Sequence, residues 1–305
     1  MYGLSTSWRS GTITDGKQLL NAIKETEING LEIDYRIRQS TLDTIRKRLK
    51  SSEFNVLSVH AQCPMPDHVS VSMANAELYD LSSDDRDEHN MAIKQSIKSI
   101  EVAADLEAEI VVFHLGKVDM EAERELFFAT YELKAITGEE YRQLVQRKLQ
   151  ERAERSFRPF DRVLKGLDKI HKAADRMNIL IGVENRYFYN QIPFMEEFDT
   201  IFNEFSGGQI RYWHDVGHAE VFHRLGFLDH EKDLLKKYKD VLAGMHIHDI
   251  KGLKDHLAPG LGDFNFAILK KYLRNNMVKI LEVHDEAEPA DIQRGVELLQ
   301  QKNIL

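Results

Sequence analysis

The sequence predicts an α/β fold, a single-domain (β/α)8 TIM barrel over residues 1–305 with a helical insertion after the fourth strand. Two observations support this prediction. Short apolar runs rich in β-branched residues alternate with segments whose apolar residues recur every three or four positions, as strands alternate with amphipathic helices. Eight such runs occur, and eight parallel strands joined by helical crossovers close a barrel.

The elements follow one another in strand–helix order. The predicted strands are residues 2–6, 30–35, 55–60, 109–114, 179–184, 210–215, 242–248 and 279–283. The predicted helices of the repeating units are residues 16–27, 41–50, 88–106, 193–205, 230–238, 264–275 and 289–300. No proline-rich linker or low-complexity tract interrupts this series, which indicates one domain.

The longest connection, residues 117–178, is the predicted insertion. Helical patterns at 120–133 and 138–177 predict a helical segment that is broken or kinked near Pro159 and covers the barrel mouth. Basic and acidic residues alternate there, so we expect a solvated helix with ion pairs between successive turns. The basic residues are Arg147, Lys148, Arg152, Arg155, Arg158 and Arg162.

Composition and net charge exclude several classes of protein. Hydrophobic residues make up 42% of the chain and charged residues 30%, so the protein can bury a full core. The formal net charge of -9 excludes a positive field over the whole surface, although a local basic groove for nucleic acid stays open. The single cysteine, Cys63, excludes an internal disulfide and an iron–sulfur cluster. Without a long apolar run, we expect a cytoplasmic protein with no membrane contact.

Side chains of the types that bind metal ions lie at the ends of six consecutive predicted strands. Barrel enzymes have their active sites at the carboxyl ends of the strands. The six residues are His60, His114, Glu184, Asp215, His246 and Glu282. Burying so many ionisable groups is costly unless a divalent cation compensates their charge. By strand alternation Glu184, His246 and Glu282 point at the barrel axis, and Gly182 and Gly244 beside them leave room for an ion. The sequence therefore predicts a metal centre.

Several short motifs carry a family resemblance. They are Val-Glu-Asn at 183–185, His-Asp-Val-Gly-His at 214–218, His-Ile-His-Asp at 246–249, Pro-Gly-Leu-Gly-Asp-Phe at 259–264 and Leu-Glu-Val at 281–283, together with the segments around His60 and His114. As a set they resemble the xylose isomerase-like, or apurinic endonuclease family 2-like, TIM barrels over nearly the whole chain. That family contains sugar isomerases and epimerases as well as zinc-dependent nucleases of the endonuclease IV type.

The isomerase and epimerase branch gives the main prediction. The resemblance implies a divalent ion held by Glu184, Asp215, His246 and Glu282, a set that suits manganese, magnesium, zinc or cobalt. It implies an enzyme of carbohydrate metabolism that isomerises or epimerises a sugar or sugar phosphate through a cis-enediolate. Glu184 and Glu282 would remove and return the proton, and His218 would bind a substrate oxygen. The expected partner is this small substrate, and a homo-oligomer stays open.

The nuclease branch gives the alternative, a zinc-dependent endonuclease IV-like phosphodiesterase acting at apurinic sites. There the resemblance implies three zinc ions, with His60, His114, His218 and His256 added to the four ligands above. The nuclease pattern has Asp-x-His, whereas Lys254 stands two residues before His256 in this chain. Either Lys254 faces the third metal position and holds a sugar hydroxyl or phosphate, or a one-residue shift brings in the neighbouring aspartate. A metal- or sugar-binding barrel without turnover is a third candidate.

Other residues near strand ends have two interpretations each. Aromatic residues there either stack on a sugar ring or pack in the core, and Trp8 is our candidate substrate contact. The others are Tyr35 and Trp213. Glu32 either contacts the substrate or orients a metal ligand. His248 and His284 lie further along their strands, and we expect them to line the mouth rather than bind metal.

Overall fold

A computed structural model describes residues 1–50 and 53–305, and it contains the predicted barrel. The barrel strands are β1 (Tyr2–Ser5), β2 (Gly30–Ile33), β3 (Asn55–His60), β4 (Ile110–Phe113), β5 (Leu180–Glu184), β6 (Ile210–Asp215), β7 (Leu242–Ile247) and β10 (Val278–Leu281), while β8 (Asp249–Lys251) and β9 (Lys254–Leu257) form a separate hairpin. Neighbouring barrel strands are parallel, and the sheet closes because β1 pairs with both β2 and β10. The predicted (β/α)8 TIM barrel is confirmed.

Helices surround the barrel. They are α1 (Ser7–Ser10), α2 (Gly16–Lys24), α3 (Gln39–Leu49), α4 (Arg86–Asp105), α5 (Arg124–Glu132), α6 (Glu139–Met177), α7 (Glu196–Glu204), α8 (Val216–Arg224), α9 (Lys236–Tyr238) and α10 (Pro289–Gln301), with a π-helical turn at His230–Leu235. Among the described residues, no helix combines the length and apolarity needed to span a membrane. The insertion is helical, as predicted, and consists of α5 and α6.

One predicted helix is absent, and one helix is present that was not predicted. Residues 264–275 do not form an α-helix but contain two short 3-10 turns, Phe266–Ile268 and Lys270–Tyr272. The Asn265 side chain accepts a hydrogen bond from the Ala267 backbone, a local bond that competes with helix formation. Helix α8, directly after β6, was not among the predicted helices. It forms because the Asp215 carboxylate caps it by accepting from the backbone N–H of His218 at 2.7 Å.

Of the predicted break or kink near Pro159, the break is absent, since α6 continues through this residue. The helix is held on both sides of the proline by buried apolar residues. Tyr141 and Val145 pack into the core before it, and Val163 and Leu167 do so after it. Tertiary packing therefore outweighs the backbone hydrogen bond that a proline removes.

The prediction of a solvated insertion fails at Arg152, which is buried. Its guanidinium donates to both carboxylate oxygens of Glu197 on α7, at 2.9 and 2.7 Å. It also donates to the backbone carbonyls of Tyr189 at 2.6 Å and Gln191 at 3.1 Å. Arg152 therefore fastens the insertion to the segment that follows β5, beside the carboxyl end of the barrel.

The barrel interior explains the two glycines of the strand-end motifs. Trp213 points inward from β6, and a Cβ atom at Gly244 would lie 2.3 Å from its ring. A Cβ atom at Gly182 would lie 3.2 Å from Trp213, a tighter contact than side chains usually make. The expectation that these glycines leave room for an ion is therefore wrong, because they make room for an indole. The ring of His246 packs edge-on against Trp213 with centroids 5.1 Å apart, so the tryptophan forms the floor below His246.

We expect Arg152→Ala to lower the free energy of unfolding by about 3–5 kcal/mol, because it leaves the buried Glu197 carboxylate without its partner. Arg155→Ala on the same helix is the control. Arg155 is half-exposed and pairs with Glu151 one turn away, and removing it should change stability by about 0.5 kcal/mol or less. Denaturant unfolding of both variants measures the difference, and equal losses would contradict the anchoring role of Arg152.

Candidate active site

The six predicted strand-end residues meet at the carboxyl end of the barrel. Strand pairing sets their level, since Asp215 lies opposite His246 in the β6–β7 register. His246 in turn pairs with Ile280 of β10, two residues before Glu282. One ligand atom each from Glu184, Asp215, His246 and Glu282 lies within 4.8 Å of the others. We call these four residues the quartet.

Three carboxylates surround one imidazole nitrogen in the quartet. His246 Nδ1 lies 2.9 Å from Glu184 Oε1, 3.0 Å from Glu282 Oε2 and 3.6 Å from Asp215 Oδ2. A single N–H cannot satisfy three carboxylates, whereas a divalent cation among them can. Three carboxylates and one imidazole form a donor set that binds such cations. The quartet therefore fits a metal ion.

The quartet's electrostatics show the same crowding of charge. Burial alone would lower the pKa of His246, but the carboxylates of Glu282, Glu32 and Glu184 raise it well above its ordinary value. Burial would likewise raise the pKa of the Glu184 and Asp215 carboxyls, but the neighbouring imidazoles hold it well below its usual range. The buried carboxylates thus depend on positive charge in their midst, which a protonated imidazole or a metal ion supplies.

Glu32 orients His246 and is not placed to contact substrate. Its carboxylate is fully buried, 3.1 Å from His246 Nε2, and accepts a hydrogen bond from the Ser58 hydroxyl at 2.8 Å. A carboxylate on the far nitrogen of a histidine ligand fixes the ring and its tautomer. Of the two interpretations of Glu32, the geometry supports the orienting one.

A second cluster shares Glu184 with the quartet. The Oε2 atom of Glu184 lies 2.7 Å from His114 Nε2 and 3.7 Å from His60 Nε2, while its Oε1 atom faces His246. Ligand atoms of His60, His114 and Glu184 lie within 4.8 Å of one another, so Glu184 has the geometry of a bridging carboxylate. Burial lowers the pKa of His114 well below its ordinary value, which keeps this imidazole neutral and able to bind a metal.

A third cluster consists of His218, Asp255 and His256. Asp255 Oδ1 lies 3.2 Å from His256 Nδ1, but the two atoms lack hydrogen-bond geometry. His256 Nδ1 and Asp255 Oδ2 are buried without a hydrogen-bond partner. Buried polar atoms of potential ligands that lack a hydrogen-bond partner are expected around an ion site.

The expectation that Lys254 faces this cluster is wrong. Its ammonium lies on the surface, 2.5 Å from Glu286 Oε2. Strands β8 and β9 pair antiparallel in the hairpin beyond β7, where Lys254 is exposed and the neighbouring Asp255 is buried. Asp255 is therefore directed inward, as in the one-residue shift that the sequence left open.

Asp249 holds in place the loop that follows the hairpin. Its carboxylate accepts four backbone hydrogen bonds at 2.8–3.0 Å, from Ile250, Gly260, Gly262 and Phe264. A Cβ atom at Gly262 would lie 2.4 Å from Asp249 Oδ1, so this position requires glycine. The Pro-Gly-Leu-Gly-Asp-Phe motif thus serves to wrap a loop around a buried carboxylate.

The remaining candidates divide between core and mouth. His248 is fully buried, so the expectation that it lines the mouth is wrong; its Nε2 lies 3.0 Å from Asp215 Oδ1. His284 is exposed and stacks on His256 with ring centroids 4.4 Å apart. Trp8 is buried and donates to the Ala287 carbonyl at 2.8 Å, so it packs in the core rather than facing a substrate. Tyr35 packs edge-on against His60.

Three site residues were missed at the sequence level. Asn185 accepts from the backbone N–H of Asp215 at 2.8 Å and donates to its carbonyl at 2.9 Å, which fixes that ligand. Arg186 and Glu77 contact each other beside the second cluster at 3.3 Å. Asn185 and Arg186 directly follow Glu184 and could have been found from their position, whereas Glu77 lies in an irregular connection that carries no periodic signal.

The insertion reaches the mouth beside the third cluster. The guanidinium of Arg124 on α5 lies 4.5 Å from the ring centroid of Tyr187, and that ring packs edge-on against His218 at 5.5 Å. This agrees with the expectation that the insertion covers part of the mouth.

Fold and site together define a class, an eight-stranded α/β barrel with a His, Asp and Glu centre at the carboxyl ends of its strands. The profile of the xylose isomerase-like TIM barrel family matches residues 20–302, and the chain belongs to this family. No protein with curated annotation matches the sequence significantly.

Solved structures with the same fold include sugar epimerases. A D-tagatose 3-epimerase-like protein superimposes with a TM-score of 0.70 at 17% identity, covering 99% of this chain and 96% of that one. The apo form of 3-keto-D-glucoside 4-epimerase YcjR from E. coli gives 0.67 at 16% identity, with 98% of each chain covered. The TTHB071 protein from Thermus thermophilus, soaked with ZnCl2, gives 0.62 at 18% identity and 99% and 97% coverage.

We expect Asp255→Asn to reduce the number of zinc ions bound per chain by about one, because the third cluster loses its only carboxylate. Lys254→Ala is the matched control on the same strand and should leave the ion count unchanged. Elemental analysis after equilibration with zinc and gel filtration measures both. Loss of an ion in Lys254→Ala, or none in Asp255→Asn, would contradict the assignment.

Proposed function

We propose that this protein is a divalent-metal-dependent isomerase or epimerase of a small sugar. The observation that supports this proposal is that two glutamate carboxylates lie beside the same nitrogen of a candidate ligand. Glu184 Oε1 and Glu282 Oε2 lie 2.9 and 3.0 Å from His246 Nδ1. Two carboxylates beside a cation-binding centre are what a carbon-bound proton transfer requires. The sugar epimerases among structures of the same fold support this chemistry.

Glu184, Asp215, His246 and Glu282 would hold the ion. When bound, a divalent ion polarises a sugar carbonyl and its adjacent hydroxyl and so acidifies the carbon-bound proton between them. The donor set is compatible with manganese, magnesium, zinc or cobalt.

The two glutamates differ in accessibility, and this assigns their roles. The Glu282 side chain is 13% exposed, whereas that of Glu184 is 1% exposed and has one oxygen beside each of two histidines. We assign proton abstraction to Glu282, which a substrate entering from the mouth meets first. In an isomerisation Glu282 then returns the same proton at the neighbouring carbon. In an epimerisation Glu282 keeps that proton and Glu184 donates a proton of its own to the opposite face, so that the two glutamates exchange protonation states. The Glu282 carboxyl has a pKa well below the usual range, because its imidazole neighbours outweigh the effect of burial, so it is ionised and able to accept the proton.

His218 has a defined orientation that suits a substrate hydroxyl. Its Nδ1 lies 3.1 Å from the backbone carbonyl of Asn185, so Nδ1 carries the proton and donates. The Nε2 atom is therefore an acceptor, able to bind a sugar hydroxyl or an ion. A cytoplasmic location remains a prediction from the composition alone.

A second candidate function is phosphoester hydrolysis at a three-ion centre. The specific observation is Asp255, which completes a third cluster beside the quartet and the His60 and His114 pair. If the protein acts this way, an abasic-site DNA duplex will be cut by the zinc-loaded protein and not by Asp255→Asn. Uncut duplex at high protein concentration would remove this candidate.

For the isomerase proposal, we expect the metal-loaded protein to incorporate solvent deuterium at the carbon next to the carbonyl of its ketose substrate. Glu282→Gln should reduce this exchange by at least about 100-fold, because the amide cannot accept the proton. Mass spectrometry or proton NMR of the recovered sugar measures it.

The control is Glu286→Gln, which removes an exposed carboxylate on the same segment and should exchange like the parent. Glu286→Gln should match the parent in ion content and thermal transition. Because Glu282→Gln also removes a proposed ligand, its exchange is measured at saturating metal, with its ion content and thermal transition determined alongside. Undiminished exchange by a folded, metal-loaded Glu282→Gln protein would contradict the role of Glu282.

A further inference from the structure

Arg186 is a buried cation at the mouth that none of the three clusters uses. It stands two residues beyond Glu184, and only 5% of its side chain is exposed. One of its terminal nitrogens lies 3.5 Å from Glu184 Oε2, the oxygen that also faces His114 and His60. Its guanidinium is therefore directed at the second cluster.

The hydrogen bonding of Arg186 is incomplete. A guanidinium has five N–H donors, and here the contacts to Glu184 and Glu77 are long, at 3.5 and 3.3 Å. Its Nε atom is buried without a partner. Unmet donors on a buried charge are costly, and a guanidinium binds best to a planar pair of oxygens that meets two of its N–H groups at once.

Neither carboxylate beside Arg186 is a dedicated partner. Glu184 already spans the quartet and the second cluster, and a metal ion there would take up its charge. Glu77 comes from the irregular connection between β3 and α4, and it also lies 3.7 Å from His114 Nδ1. Glu77 is therefore suited to hold the guanidinium in place until a stronger anionic ligand arrives.

We propose that Arg186 binds the phosphate group of the substrate, so that the substrate class is a sugar phosphate. This rests on the proposed isomerase function for its chemistry, but the subsite itself rests on Arg186 alone. Phosphate offers the guanidinium two oxygens at the spacing of its N–H groups. The side chains beside Arg186 are mostly buried, so a small anion fits there better than a nucleic acid backbone. The net charge of -9 also disfavours binding to nucleic acid.

The test compares three variants by calorimetric titration of the metal-loaded protein with inorganic phosphate. Arg186→Gln should weaken phosphate binding about tenfold or more, because it removes a charge-assisted pair of hydrogen bonds. Arg186→Lys keeps the charge but not the planar pair of donors, and should recover only part of the affinity. Arg124→Gln removes another arginine from the mouth and should bind phosphate like the parent, so it controls for net charge.

Equal losses in Arg186→Gln and Arg124→Gln, or no loss in Arg186→Gln at unchanged metal content, would overturn the subsite. Turnover assays then distinguish a failure of the phosphate subsite from a failure of the proposed isomerase function. The proposal expects deuterium exchange with ketose phosphates, and expects the Michaelis constant to rise in Arg186→Gln. Exchange that is as fast with unphosphorylated ketoses would overturn the substrate class and leave the isomerase standing. Arginine-dependent phosphate binding without exchange on any sugar would retain the subsite and reject the isomerase.

Discussion

The structure depends on one constraint, the burial of several carboxylates around the single imidazole of His246. Such a group is stable only where positive charge and hydrogen bonds compensate it, because an unpaired buried carboxylate costs several kcal/mol. The closed barrel supplies the geometry, since parallel strands deliver their last side chains to one ring. Trp213 supplies the floor, and Glu32 fixes the far side of the His246 ring. The same crowding that makes the site costly without a cation makes it a binding site for one.

Behind the ligands lies a chain of buried polar groups. Asn185 holds both backbone groups of Asp215 and accepts from the Tyr212 hydroxyl at 3.0 Å. That hydroxyl lies 2.8 Å from His214 Nδ1, and the far nitrogen of this ring lies 3.0 Å from His230. Partners of this kind orient the ligands and commonly change metal affinity 10-fold to 100-fold when they are removed. The sequence around β6 is thus histidine-rich for two reasons, to provide ligands and to support them.

The fold and the strand-end residues could be predicted from the sequence because both follow from periodicity. Strand alternation directed Glu184, His246 and Glu282 to the barrel axis, whereas the choice of these three with Asp215 as a four-residue set came from the family resemblance. Residues whose place depends on tertiary contacts were not predictable. The choice between Lys254 and Asp255 is decided by the pairing of an outer hairpin, and Glu77 reaches the site from a segment without regular structure. Pro159 stays helical only because residues far along the chain pack against both halves of α6.

The central claim is that the quartet holds a divalent ion with a glutamate on each side of the bound sugar. Anomalous diffraction from crystals grown with manganese and soaked with a ketose phosphate tests it most directly. The account predicts a peak at roughly 2.0–2.3 Å from ligand atoms of Glu184, Asp215, His246 and Glu282. It also predicts that the carbon next to the sugar's carbonyl, which bears the transferred proton, lies between the two glutamates. An ion bound elsewhere, with His246 still paired directly to the carboxylates, would contradict it.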